Sequence, residues 1–284
     1  MKLISLLDHL AATPATASAA PRRDVLAQLG RAAVAALPLA LGARPAAAAT
    51  NDSTLDALLQ LLQLERLQAA LYTQGLAAAG LIPAGQTADF QRLQAHQSQH
   101  VAFLTRTLQD AGSTVPAAPT FDFSGRRNVA ANPELFPGVF SNYDNFLALA
   151  QQIEDFGVRL YQNHAFNITT DARLTQAVLR MQSVEAQHSA HVRSLRRGRG
   201  ATVGTWPSDE DAAIVRPAAA QALTAAATGG EANVTQYATA GTTLPFGTFF
   251  LIRDNTAISD PSLAEAFDEP ITSAVGQAAL NLFS

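Results

Sequence analysis

Glu185-Ala186-Gln187-His188 is a Glu-x-x-His step inside a segment that otherwise reads as an amphipathic helix. Three residues are close to one helical turn, so the carboxylate and the imidazole leave the helix on the same face. Helical steps back reach Met181 and Val178, and steps forward reach Val192 and Leu195, so that face is the apolar one. A carboxylate oxygen and an imidazole nitrogen turned together into a core are a ligand pair for a divalent cation.

The pattern recurs in three other segments. Glu65 shares a stripe with Leu58, Leu61, Leu62, Ala69 and Tyr72, and Glu154 shares one with Leu147, Ala150, Val158 and Tyr161. His100 lies with Leu93, His96, Gln97, Phe103 and Leu104. The chain has eight Glu residues, and within the four segments the only ones are Glu65, Glu154 and Glu185. Soluble helices normally spend Glu on solvated faces, because it favours helix and is costly to bury unpaired; here that usage is inverted. One buried Glu is ordinarily held by an Arg or by backbone donors, and one core His is ordinarily a hydrogen-bonded structural residue. Two Glu-bearing helices combined with two helices spaced for Glu-x-x-His are instead the ligand plan of di-iron and di-manganese carboxylate bundles. The second helix departs from it, with Gln97 where a Glu would precede His100.

The elements that must position these residues follow in chain order. Ser53 can cap a Leu-rich helix running to Gly80, with Asp56 in its first turn. A short turn at Pro83-Ala84-Gly85 leads to a second helix from Thr87 to near Gly112, and so short a link predicts antiparallel neighbours. Residues 113–141 read as a long crossover. Pro116, Pro119, Gly125, Pro133, Pro137 and Gly138 break any helix there, while Phe121, Phe123, Phe136 and Phe140 offer anchors. A third helix is expected from Asn142 to Phe166. A fourth follows the break at Thr169-Thr170-Asp171 and stops at Arg196-Arg197-Gly198, its basic end suited to the helix dipole. Residues 199–284 read as an irregular extension packed on the bundle, with helical pieces at Ala218–Thr228 and Ser273–Phe283 and a buried-looking apolar run at 244–252. Trp206 is expected in the core or at a seam.

The chain is 284 residues long, 48% hydrophobic and 15% charged, enough for one sizeable domain with an appendage. It has no cysteine, which excludes thiolate metal sites and disulfides. Its formal charge of -4 argues against nucleic acid as a partner. Five basic and two acidic side chains fall within residues 1–49, so the remainder is more acidic still. Those residues carry Arg22-Arg23, a modest apolar run from Ala32 to Ala43, and Ala46-Ala47-Ala48 as a small-residue cleavage site. The run is too short to span a bilayer, which takes roughly 20 apolar residues. The reading is a cleaved twin-arginine-type signal over 1–49, a bundle over 50–198 and the extension over 199–284. Twin-arginine machinery is then a partner, no membrane span remains after cleavage, and the product is periplasmic or secreted; homo-oligomerisation stays open.

Leu64-Glu65-Arg66-Leu67 with Tyr72, His96 to Val101, Ser141 to Asp144 leading to Glu154-Asp155, Ser183 to His188, and Glu265-Ala266-Phe267-Asp268-Glu269-Pro270 together resemble the ferritin-like domain family that includes desiccation-related and exported bacterial proteins. The resemblance implies an all-α four-helix bundle with a long crossover between helices 2 and 3. It implies terminal carboxylate roles for Glu65 and Glu154, a bridging role for Glu185, and imidazole ligands at His100 and His188. Gln97 occupies the position of a second bridging carboxylate, so the metal set reads Glu65, Gln97, His100, Glu154, Glu185 and His188. Three carboxylates leave two divalent ions with an excess of one positive charge. A bridging hydroxide, one ion in place of two, or an empty site would each answer it, with His96 and His191 as outer partners. Iron or manganese suits these ligands, for redox or peroxide handling. The alternative is a non-enzymatic stress, desiccation-related or envelope protein without metal, and a storage ferritin is a weaker third option.

Overall fold

The computed structural model describes residues 54–168, 171–232, 264–266 and 268–284. Six α-helices and two short 3-10 turns account for its regular structure, and there is no strand among the described residues. The signal-like segment, the Ser53 cap and the apolar run at 244–252 lie outside the described residues. The described chain lies wholly within one compact unit, Asp52–Ser284.

Helix α1, Thr54–Ala77, is built on Leu at helical spacing, and Leu58, Leu61, Leu62, Leu64, Leu67 and Leu71 are buried. Gly80, at φ 73°, lets the chain turn away just after the helix. The 3-10 turn Ala84–Gln86 then delivers α2, Thr87–Asp110. Tyr72, late in α1, packs against Phe90, early in α2, with ring centroids 5.9 Å apart, as the antiparallel pairing requires. Helix α3, Tyr143–Asn167, starts at Asn142, whose side chain accepts from the Asn145 N–H. Helix α4, Ala172–Gly198, starts at Asp171, which accepts from the Arg173 and Leu174 N–H groups, and it ends with Arg196 and Arg197 in its last turn.

Helix α1 packs on α2 and α3, and α3 packs on α4. Gly75 of α1 lies against Phe146 near the start of α3, and Gln60 of α1 bonds His164 near the end of α3, so these two helices are also antiparallel. Helices α2 and α3 therefore point the same way, and Tyr143 meets Phe90 at 6.2 Å at their shared starting end. A chain leaving α2 must return the length of the bundle, about 36 Å for 24 residues, before α3 can begin. Residues 111–142 make that return without regular structure, and Phe123 and Phe136 are its buried anchors. Phe136 stacks at 5.1 Å on Phe283, and the Asp122 N–H bonds the Phe283 carbonyl, so the chain's C-terminal end closes over the crossover.

Past α4, α5 (Gln221–Thr228) packs on α3, and α6 (Ser273–Leu280) packs on α1, α3 and α5. Buried Arg193 of α4 forks onto Asp155 of α3 with bonds of 2.9 and 2.6 Å, and it also bonds Asp211 and, at 3.2 Å, the Trp206 carbonyl. That backbone contact accounts for one correction. Trp206, expected in the core or at a seam, is held by its main chain, and its side chain is 58% exposed. Phe103, expected on the buried stripe of His100, is likewise exposed at 39%.

Candidate metal centre

The six residues singled out in the sequence come together in the middle of the bundle: Glu65 from α1, Gln97 and His100 from α2, Glu154 from α3, Glu185 and His188 from α4. The three glutamates and Gln97 are fully buried. His100 alone of the six keeps more than a tenth of its side chain in contact with solvent, so the cluster reaches the surface on the α2 side.

Glu185 is the centre of the group. Its Oε1 lies 3.2 Å from His100 Nδ1 and 3.6 Å from His188 Nδ1, yet it takes no aligned hydrogen bond. Its Oε2 accepts from the amides of Gln68 at 2.7 Å and Gln97 at 3.1 Å. His100 Nδ1 is also 3.2 Å from Glu65, and His188 Nδ1 is 3.7 Å from Glu154. Two three-residue sets result, Glu65–His100–Glu185 and Glu154–Glu185–His188, with the atoms of each set within 4.8 Å of one another and Glu185 common to both.

Two tyrosines each hold one carboxylate oxygen of Glu65 or Glu154. Tyr161 of α3 donates to Glu65 Oε1, and Tyr72 of α1 donates to Glu154 Oε1. The bonds are reciprocal, since each helix carries a Glu and, seven residues on, a Tyr that reaches across to the other helix's Glu. Gln68 adds a bond of 3.1 Å to Glu154. It fits because α3 has Gly157 opposite, where a Cβ would lie 3.1 Å from the Gln68 amide nitrogen. On the far side of His188, its Nε2 meets His96 Nδ1 at 3.0 Å, the rings stacked 5.3 Å apart. A proton on His188 Nε2 leaves Nδ1 facing the carboxylates. His191, expected as another outer partner, turns instead towards Asp89, 3.8 Å away.

These surroundings set the protonation states. Burial raises Glu65 to about 7, helped by the Glu185 charge and opposed by His100 and Tyr161. Burial likewise raises Glu154 to about 7, helped by Glu185 and opposed by His188 and Tyr72. Burial works against a charge on Glu185 too, but hydrogen bonding and attraction from the two imidazoles outweigh it and hold this carboxyl well below the usual range. The imidazoles respond in kind. Against the cost of burial, Glu185 and Glu65 push His100 up to about 9, and Glu154 and Glu185 push His188 up to about 10. Burial and the neighbouring imidazoles lower His96, which suits it to accept the His188 proton.

The residues fit a divalent transition ion. Two donors at right angles, each about 2.1 Å from one ion, are about 3 Å apart. The His100 contacts with Glu65 and Glu185 already have nearly that spacing. An ion between them would also satisfy Glu185 Oε1, which is otherwise a buried acceptor without an aligned donor. Gln97 fits less well as a ligand. It presents its amide nitrogen to Glu185 and, at 3.4 Å, to His188 Nδ1, while its Oε1 is buried without a partner.

The sequence places Tyr72 and Tyr161 on the same stripes as Glu65 and Glu154 but assigns their hydroxyls no role. The signal for their role was there: Glu65 with Tyr72 and Glu154 with Tyr161 repeat one spacing on two helices. Gln68 and Gly157 carried no such signal, because the need for an amide beside a glycine arises only once the helices are packed.

Among known proteins, the ferritin-like domain family model matches residues 53–197, which is just over half of the chain and includes all six residues of the cluster. No curated protein matches it.

Proposed function

The chain belongs to the ferritin-like domain family, and from that premise we propose that it is an exported metalloprotein with an asymmetric, partly degraded di-metal carboxylate centre. The observation that carries the reading is the pair of Glu–His sets sharing Glu185 in an otherwise sealed core. Glu65 and Glu154 would be terminal ligands, Glu185 the bridge, and His100 and His188 one imidazole for each half.

Charge decides the occupancy. Four carboxylates would balance two divalent ions, but this chain supplies three. One divalent ion and one imidazolium balance three carboxylates, which makes about one ion per chain the neutral arrangement that needs no added hydroxide in a dry interior. Iron or manganese, which oxygen and nitrogen donors suit, would supply redox chemistry towards oxygen or peroxide. The chain's own residues do the rest. Tyr72 and Tyr161 each fix one oxygen of the two terminal glutamates, and His96 fixes the His188 tautomer. The leucines and phenylalanines of α1 and α3 exclude water, and the His96–His100 flank, where both imidazoles are partly exposed, is the route by which small molecules reach the centre.

Absorption spectroscopy tests this reading. Protein loaded with ferrous iron and exposed to air should develop near-ultraviolet charge-transfer absorption that the Glu185→Gln variant lacks. No spectral change in either would remove the redox reading. The second reading, a non-enzymatic stress or envelope protein, draws on Gln68 and Gln97. Their amides already occupy Glu185 Oε2, so part of the cluster is satisfied by side chains alone. Export is proposed from Arg22-Arg23, the apolar run and the alanine site. No helix among the described residues is long and apolar enough to cross a membrane.

A further inference from the structure

A second group of acids lies apart from the helical centre. Glu231, just after α5, and Asp268 and Glu269, leading towards α6, bring one carboxylate oxygen each within 4.8 Å of one another. Arg159 of α3 stands beside them, yet its best bonds go elsewhere: to the carbonyls of Glu269 at 2.8 Å, Ala226 at 3.2 Å and Gly229. Its nitrogens are 3.9 Å from Glu231 and 4.0 Å from Asp268, too far for hydrogen bonds. The orphans are specific. Glu269 is 9% exposed, and neither of its carboxylate oxygens has a hydrogen-bond partner; Glu231 Oε1 and Asp268 Oδ1 also have none. Asp268 is held from the other side by the Gln162 amide at 3.1 Å, and the Gln162 amide oxygen is itself unpartnered. The Glu269 side chain packs against Gly230, where a Cβ would stand 3.8 Å from its carboxyl carbon.

Fully ionised, three carboxylates and one guanidinium sum to a charge of about -2, which a single divalent cation cancels. The donors are all oxygen, with no imidazole among them, and that selects a hard cation. Calcium bonds oxygen at about 2.3–2.6 Å and takes six to eight ligands in irregular geometry, so oxygens on opposite sides of it are about 4.8 Å apart. A cavity of about 390 Å³ leads to the group, lined by Glu231, Glu265, Asp268 and Trp206 among others, so an ion and its waters have a way in.

We propose that Glu231, Asp268 and Glu269 form a calcium site that clips the two ends of the C-terminal segment to Arg159 and Gln162 of α3. The site shares no residue with the Glu65–His100–Glu154–Glu185–His188 cluster and stands whether or not that cluster holds metal. Calcium titration calorimetry on the chelator-treated full-length protein tests it. Terbium serves as the luminescent stand-in, excited through Trp206, the only tryptophan in the chain. The expected result is saturable binding of one calcium per chain, in the unmodified protein and in Glu185→Gln alike. Binding should weaken at least about tenfold in Glu231→Gln and in Glu269→Gln, with the sensitised terbium emission falling in step. Circular dichroism confirms that the variants keep their helices. Three results would overturn the proposal: no calcium binding by the unmodified protein, binding undiminished in both acid variants, or binding abolished by Glu185→Gln while Glu269→Gln retains it.

Discussion

Glu185 keeps its charge in a dry core because two imidazoles face it, while burial, helped by that same charge, raises Glu65 and Glu154 to about 7. The cluster thus stores protons, and the sign of their linkage to folding can be worked out. Glu65 and Glu154 rise from 4.5 to about 7, and His100 and His188 rise from 6.5 to about 9 and about 10. From pH 4.5 to 10 the folded chain holds more of these protons than the unfolded chain, so their stabilisation fades as pH rises. Glu185 acts in the opposite sense, but only in acid. Chelator-treated protein should therefore melt at a lower temperature at pH 9 than at pH 6. Added manganese should recover more of the loss at pH 9, since ligands must shed protons to bind; a melting temperature that rises with pH under chelation would contradict this assignment. Tyr161→Phe leaves Glu65 Oε1 buried without its donor and should cost about 1–3 kcal/mol in urea denaturation, with Tyr72→Phe similar through Glu154. All six of the clustered residues were legible as polar types on apolar stripes. The tyrosine bonds left only the repeated Glu–Tyr spacing as a trace, because a tyrosine on a buried stripe is read as bulk until the partner helix places a carboxylate at its hydroxyl.

Helices α1 and α3 cross closely enough that their small residues decide the fit. A Cβ on Gly75 would lie 2.6 Å from the Phe146 ring, a rigid group in a packed core. Gly75→Ala should therefore destabilise by about 1–3 kcal/mol, measured by urea denaturation; an unchanged midpoint would mean that the two helices stand further apart. The helices were readable from period, caps and breakers. Asn142 and Asp171 cap where the pattern starts, and Gly80 and Gly198 lie at or just beyond the ends. The crossover was readable from its prolines, and its Phe123 and Phe136 anchors are buried as expected. Trp206 and Phe103 were not legible. Size and hydrophobicity argue for burial, whereas the backbone bond from Arg193 and the outer edge of α2 leave these side chains in solvent.

For the molecule as a whole, the proposed twin-arginine leader at Arg22-Arg23 would suit an acidic, cysteine-free protein that folds, takes up its ion and is then exported. Replacing Arg22 and Arg23 together by Lys should leave the protein inside the producing cell, as fractionation and immunoblotting would show; unaltered export would remove that route. Calcium at the second site would act at this scale too, since Glu231 and Asp268–Glu269, distant in the chain, both lie beside Arg159 of α3. The central claim is that the amide at 97 halves the metal capacity of the centre without abolishing it, and elemental analysis tests it most directly. Purified protein should carry about one iron or manganese per chain, and Gln97→Glu, which restores the fourth carboxylate, about two. Metal in the variant alone, or in neither protein, would contradict the account and leave the chain as a structural or stress protein built on a metal-binding fold.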